Sequence, residues 1–538
     1  MKAYGQSRTI ADLADGQDPP EQLQIAVTFK GGLLGPTKMA ARLSAASVSD
    51  FAPLPGEVEQ AIEALKRRGF VVSGRGRMTL SVRASREQFE ETFGTRLSVM
   101  KMPDDQDYSR ASVFYPDAGA PWNPDAELAK LIDDAYIQWP HIYMAARAAA
   151  GTKPPITTPA AAKSAAAPVV KATAKPATHA AAVSAVAAVT TKKPSAKPPK
   201  RAAPVLDVLK DLRRLLNASS AHRKGHRGEG VRVAMIDSGF AHSHPFFLSN
   251  GFASSVVLAP GATHRDTDPG SHGTGESANV FALAPNATFI GIKLGDDDNP
   301  KGGASLLEGF QEALRHDPHV ISCSVGYDLR ATDGRSPVSQ LPNGLKALEV
   351  EIQAAVGRGV VVVFSAGNGH YSFPGQMPEV ISAGGTYFDS QGRMVASNYA
   401  SAFTSLIYSG RTVPDVCGLV GPLPHADYIM LPIPPGSDLD RESAAFDGTR
   451  ADDGWAAFSG TSAAAPQIAG VCALLKQKNP TLSPAAMLAV LQRTARDVLF
   501  GSANPASDPS GHGLPAGPSH DGASGYGLVD AGAAWKQA

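Results

Sequence analysis

Between residues 22 and 102 the chain alternates short runs of extended pattern with runs of helical spacing. LQIAVTFKG and MTLSVRAS read as strands, and PGEVEQAIEALKRRGF reads as an amphipathic helix whose Val58, Ile62, Leu65 and Phe70 roughly follow helical spacing. REQFEETFGTRLSVMKM reads as a second helix running into further extended structure. Gly69 supplies a stop for the first helix and Ser85 a cap for the second, with Phe89 and Phe93 four apart on one face. The pattern predicts a small α+β sandwich with no residue of catalytic appearance. An unrelated ferredoxin-like binding domain fits it too.

From about residue 229 the pattern changes. VRVAMID and VVVVFSAGN look like buried strands, and they alternate with helical stretches such as GLKALEVEIQAAVGRG. This predicts an α/β fold with a mainly parallel sheet, in which reactive groups collect at the carboxyl ends of the strands. Asp237 and Asn368 fall there. SHGTGESANVFALAP sets His272 just ahead of a helix, with Gly273 and Gly275 permitting close backbone approach. FSGTSAAAPQIAGVCALLKQ turns from a loop into an Ala-rich helix, with Ser462 at its start and Pro466 in its first turns.

Composition adds a boundary. Residues 151 to 204 hold nine Lys or Arg and no Asp or Glu, and are dominated by Ala, Pro, Lys and Thr. Such a stretch has too little apolar bulk to pack and is expected to be a disordered, protease-accessible linker. No aromatic residue is interleaved to stack on a base, which argues against a nucleic-acid arm. The expected domains are residues 1–145, a linker over 146–204, and the α/β domain over 205–538. No stretch approaches the roughly 20 apolar residues of a membrane span, and the opening residues do not read as a secretory signal peptide. Export, if it happens, is expected to need another route. Cys323, Cys417 and Cys472 are odd in number and set among apolar neighbours, so three buried free thiols are expected rather than disulfides or a zinc site.

Hydrolysing an amide at neutral pH needs a nucleophile, a base, a group that orients the base, and donors for the developing oxyanion. Ser462, His272, Asp237 and Asn368 supply one candidate for each, with the backbone N–H of Ser462 as a second oxyanion donor. Each motif alone has a plainer reading, since a Ser before an apolar run is usually a cap and an Asn after Gly usually a turn. All four, in this order and each on the element its role requires, point to a serine endopeptidase acting through an acyl-enzyme. A scaffold that binds without chemistry, a dedicated processing protease and a basic tether are the competing readings.

Over about residues 229–538 the chain resembles the subtilase clan, with IDSG, SHGTG, SAGNG and SGTSAAAP matching the family's Asp, His, Asn and Ser motifs. The resemblance implies a seven-stranded, mainly parallel sheet flanked by helices, internal cleavage of proteins, and no cofactor for the chemistry. CSVGY and AGNG resemble the segments that line the specificity pocket and pair with substrate, which implies substrate contacts at Ser324, Val325, Gly326, Ala366 and Gly367. The N-terminal helix and its FE..FG..L pattern are similar to the activation propeptide of kumamolisin-like sedolisins, which implies a folding assistant and inhibitor cut away from a zymogen. Sedolisins carry Glu where His272 stands and an acidic residue where Asn368 stands. This chain departs at both, so neutral to alkaline activity is expected. They also bind structural calcium through a pattern faintly matched by Asp497, Val498 and Asp521. Expected partners are protein or peptide substrates and the chain's own propeptide; no nucleic acid and no membrane are expected, and the enzyme is expected to be a monomer.

Overall fold

The computed structural model of the chain describes residues 7–8, 22–30, 43–102, 109, 112–116, 121–143, 194–199, 205–299, 302–331 and 333–538. Apart from 194–199, the expected linker lies outside the described residues.

The N-terminal unit comprises β1 (Leu23–Phe29), α1 (Pro55–Arg67), β2 (Val71–Arg75), β3 (Thr79–Ala84), α2 (Arg86–Phe93), β4 (Leu97–Lys101), β5 (Ser112–Pro116) and β6 (Ile132–Ile137). Its main sheet runs β2-β3-β1-β6, antiparallel throughout. The expected α+β pattern is thus realised, down to the Ser85 hydroxyl accepting from Gln88 N–H and Gly69 in a left-handed turn. β1 is buried along its whole length. Period-two alternation explains why. Leu80 and Val82 of β3 pack in the core with Val58, Leu65 and Phe89, whereas Thr79, Ser81 and Arg83 bond to the second unit.

That second unit contains α3 (Lys210–Leu215), β7 (Arg232–Asp237), β8 (Ser254–Leu258), α4 (His272–Leu283), β9 (Thr288–Lys293), α5 (Leu306–Leu314), β10 (Val320–Cys323), α6 (Asn343–Gly357), β11 (Val361–Ser365), β12 (Ile381–Phe388), β13 (Met394–Ala396), β14 (Val416–Leu419), β15 (Ile429–Pro432), α7 (Asp438–Ser443), β16 (Trp455–Ala457), α8 (Thr461–Lys478) and β17 (Phe500–Gly501). The sheet runs β8-β9-β7-β10-β11-β12-β13-β17, with β14 also on β12. The expected seven strands become nine. Seven are parallel. After Phe388 a turn closed by Asp389 and Gly392 folds the chain back as antiparallel β13, on which β17 pairs.

One core packs Phe281 and Leu283 of α4 with Ile468 and Leu474 of α8. A second core packs Leu307 and Phe310 of α5 with Leu345 and Ile352 of α6, and it is continuous with the N-terminal unit. The shared core is reinforced by a buried carboxylate: Glu351 of α6 accepts from Met78 N–H at 2.7 Å, Thr79 N–H at 2.6 Å and the Thr79 hydroxyl at 2.8 Å. Arg83 forms a largely buried ion pair with Glu308 of α5. A Cβ at Gly74 would lie 2.1 Å from Gln311 Oε1, and one at Gly76 2.0 Å from Glu351 Oε1, so bare backbone is what lets the sheet seat on these helices. All three cysteines are buried and free, as expected. Among the described residues no helix is long and apolar enough to cross a membrane.

Candidate active site

β7 ends on Asp237, whose carboxylate is fully buried. Its Oδ1 accepts from Ser238 N–H at 2.7 Å and stands 2.7 Å from Nδ1 of His272, the first residue of α4. A Cβ on residue 273 would fall 2.3 Å from Gly239 O and 2.8 Å from Asp237 Cβ, so glycine there lets the helix start meet the strand end. With Nδ1–H donating to Asp237, Nε2 is the nitrogen free to act as base. His272 keeps 19% of its side chain exposed, enough to meet a substrate.

Ser462 is the second residue of α8, close to the helix's positive end. Asn368 lies just past β11. Its Oδ1 accepts from both Thr461 N–H and the Thr461 hydroxyl, each at 3.0 Å, which fixes the amide plane at the start of α8. A Cβ on Gly460 would fall 2.7 Å from Asn368 Nδ2, so the glycine of SGTS makes room for that amide. His272, Asn368 and Ser462 line one cleft of about 860 Å³. Asp296 and Asp297 line it too, so the charged turn after β9 is at the cleft, while Asp298 pairs with His264.

The residues expected to touch substrate divide into two groups. Gly326 carries an isolated antiparallel bridge to Ile142, with N–H to O distances of 2.8 and 3.1 Å, so its backbone N–H and C=O face outward for pairing. Ser324 donates to Ser462 O at 3.0 Å, and Val325 is fully buried. Ala366 faces a small apolar cluster with Tyr371, Phe403 and Val413, and Gly367, at φ +102°, donates to the Thr461 hydroxyl. These two brace the loop that holds Asn368.

Asp497 and Asp521 do not fit a cation in this arrangement. Asp497 accepts from Val498 and Ser519 N–H, and Asp521 from Gly517, Ala523 and Ser524 N–H and the Ser524 hydroxyl. The amides that close the loop point at the oxygens an ion would need. Among the described residues no group of three acidic, His or Cys side chains could hold a metal.

Sequence reasoning missed three contributors. Asp268, fully buried ahead of the helix, accepts from Thr274 N–H, the Thr274 hydroxyl and the Ser238 hydroxyl. Tyr143 of the N-terminal unit sets its ring 6.2 Å from the His272 ring. Glu276 lies one turn along α4 from His272, a spacing visible in HGTGE. Burial would lower the His272 pKa, but the charge and hydrogen bond of Asp237 outweigh it and raise the imidazole to about 9. Burial pushes Asp268 up to about 6 and Glu276 up to about 8.

A strand-end Asp paired with a helix-start His, beside an Asn and a helix-start Ser on a parallel sheet, defines a class, and the chain belongs to the Subtilase family, whose model matches residues 228–526. It is 27% identical to Subtilisin NAT of Bacillus subtilis subsp. natto over 298 residues, which take in 52% of this chain and 64% of that relative. It is also 27% identical to Subtilisin Savinase of Lederbergia lenta over 300 residues, 53% of this chain and 93% of that relative. The chain thus spans less than two thirds of the first relative's length. The crystal structure of fervidolysin from Fervidobacterium pennivorans, a keratinolytic enzyme related to subtilisin, shares the fold, with a TM-score of 0.50 at 17% identity, covering 100% of this chain and 64% of that one.

Proposed function

We propose that the chain is a serine endopeptidase made as a proenzyme, with residues 1–145 as propeptide and 205–538 as the catalytic domain. The observation that carries the reading is the buried Asp237 carboxylate 2.7 Å from His272 Nδ1, in one cleft with Ser462 and Asn368. Ser462 Oγ attacks the scissile carbonyl as His272 Nε2 takes its proton. Asp237 holds the ring tautomer and stabilises the imidazolium, and His272 returns the proton to the leaving amine. The Asn368 amide and Ser462 N–H receive the oxyanion. A raised imidazole pKa supports activity that climbs with pH from neutral into the alkaline range.

The propeptide reading rests on the same cleft. Ile142 pairs with Gly326 through a single antiparallel bridge, and Tyr143 stands against His272, so the end of the N-terminal unit lies where a substrate strand would pair. The FE..FG..L resemblance supports the same role, and the shared core suits a folding assistant.

A fluorophosphonate probe tests the chemistry. Labelling of Ser462 in the processed wild type, absent after Ser462→Ala, is expected; a wild type that stays unlabelled at pH 8 would instead support a binding scaffold. Glu351→Ala tests the inhibitor. It strands buried N–H groups of the N-terminal unit, at a cost of about 2–3 kcal/mol, so release of the cleaved unit should rise roughly 30- to 150-fold. Activity should then appear sooner after processing in a time course on casein; an unchanged lag would count against inhibition through this interface.

A further inference from the structure

α4 carries a second carboxyl that the proposed triad does not use. Glu276 follows His272 by four residues, so both lie on one face of the helix. It lines the same cleft as His272 and Ser462 yet is only 1% exposed. Its Oε2 accepts from Asn279 Nδ2 at 3.0 Å. Asn279 Oδ1 in turn accepts from Gln467 Nε2 at 3.1 Å, and Gln467 lies on α8, five residues beyond Ser462. Gln467 is itself held by Leu419 of β14, accepting its N–H at 2.7 Å. Glu276 Oε1 is buried and has no hydrogen-bond partner among the described residues. One oxygen is therefore fixed through a polar chain to the nucleophile's helix, and the other is left without a partner in the wall of the cleft.

We propose that Glu276 is a positioning residue for His272, a buried carboxyl that competes with the imidazole for the proton the base must lose. This rests on the peptidase reading above. The ionisable groups acting on His272 are Asp237 at the end of β7, Asp268 ahead of α4, and Glu276 itself; those acting on Glu276 are His272 and Asp237. The other elements packed on α4 are α8, β15 and α3. α8 offers the Gln467 amide, β15 is apolar with Ile429, Met430 and Leu431, and the charges of α3 act at the far end, where Arg213 affects His222, bonded to Leu283 O.

Starting from imidazolium with a protonated Glu276, loss of one proton gives two forms. In one the imidazole is neutral and Glu276 keeps its proton, so the base is competent. In the other the imidazole keeps its proton and Glu276 is a carboxylate, so it is not. Burial holds Glu276 near pKa 8, close enough to His272 for the two to titrate as a pair. Full basicity then needs two protons to leave.

The test is the pH dependence, from pH 6 to 11, of limiting-substrate hydrolysis of fluorescein-labelled casein by the self-processed wild type and Glu276→Gln. Glutamine keeps an acceptor for Asn279 and removes the ionisation. The acid limb of Glu276→Gln should become a one-proton step whose midpoint lies roughly half a unit lower, so its rate at about pH 8.5 relative to its plateau rises up to about twofold, while at pH 6.5, where the wild-type Glu276 is already protonated, the two limbs should coincide. A limb at the wild-type position, with rates merely scaled, would overturn the proposal. Should Glu276→Gln fail to fold, the His272 Cε1–H resonance of full-length Ser462→Ala decides: a two-step titration supports the pair and a single step overturns it. The same titration separates this idea from the peptidase reading, whose failure would appear as hydrolysis insensitive to fluorophosphonate.

Discussion

Ser462→Ala should leave the chain whole where the wild type cuts itself beyond Tyr143. Side-by-side incubation at pH 5 and pH 8 followed by intact-mass analysis reads this directly, and casein hydrolysis should fall by a factor on the order of 10⁶, the loss that follows removal of the nucleophile in a subtilisin. The wild type should cut faster at pH 8, because a His272 pKa raised to about 9 leaves more neutral imidazole there than at pH 5. The fold should tolerate the change. The start of α8 is held by Ala463 N–H to Gly460 O at 2.9 Å and by Thr461 to Asn368, none of which uses the Ser462 hydroxyl. The Ile142 to Gly326 pairing places the end of the described N-terminal unit at the cleft, and the first cut is expected within 144–204. Cleavage of Ser462→Ala at the wild-type rate would sink the nucleophile assignment.

The second large effect belongs to Asn368→Ala. Removing one oxyanion donor costs roughly 10² to 10³ in kcat, about 2.7–4 kcal/mol, in a subtilisin, and the same loss is expected here with KM little changed. Because Asn368 Oδ1 also receives Thr461 N–H and its hydroxyl, the variant should lose a further 1–3 kcal/mol or so of stability from stranded buried donors. Steady-state kinetics together with thermal melting separates the two. A rise in KM with kcat intact would make Asn368 a substrate-binding residue and leave the oxyanion to other donors.

Particular residues show how far the sequence could be read. The parallel sheet was legible because strands such as β10 and β11, buried on both faces, must be apolar throughout. Asp237, His272, Asn368 and Ser462 were legible because each sits at a strand end or helix start, with a glycine wherever backbone or side chain must approach closely. Strands β13 and β17 were not legible, because three- and two-residue segments carry too little pattern to mark a pairing partner. How the residues expected to touch substrate pack was not legible either. Gly326 bridges Ile142, Ser324 bonds Ser462 O, and Ala366 and Gly367 pack in the loop that leads to Asn368.

By itself the sequence determined local conformation and chemical inventory, since apolar period, caps and glycines act over a few residues. Only the tertiary structure decided which distant groups share an environment. It sets Glu351 on Thr79 across 272 positions, and Gln467 on Asn279 across 188. It also buries Glu276 beside His272, where desolvation turns an ordinary helix carboxylate into a group that titrates near pH 8. The strength of such effects depends on burial and on distances of a few ångströms, and neither is encoded in any short stretch of chain.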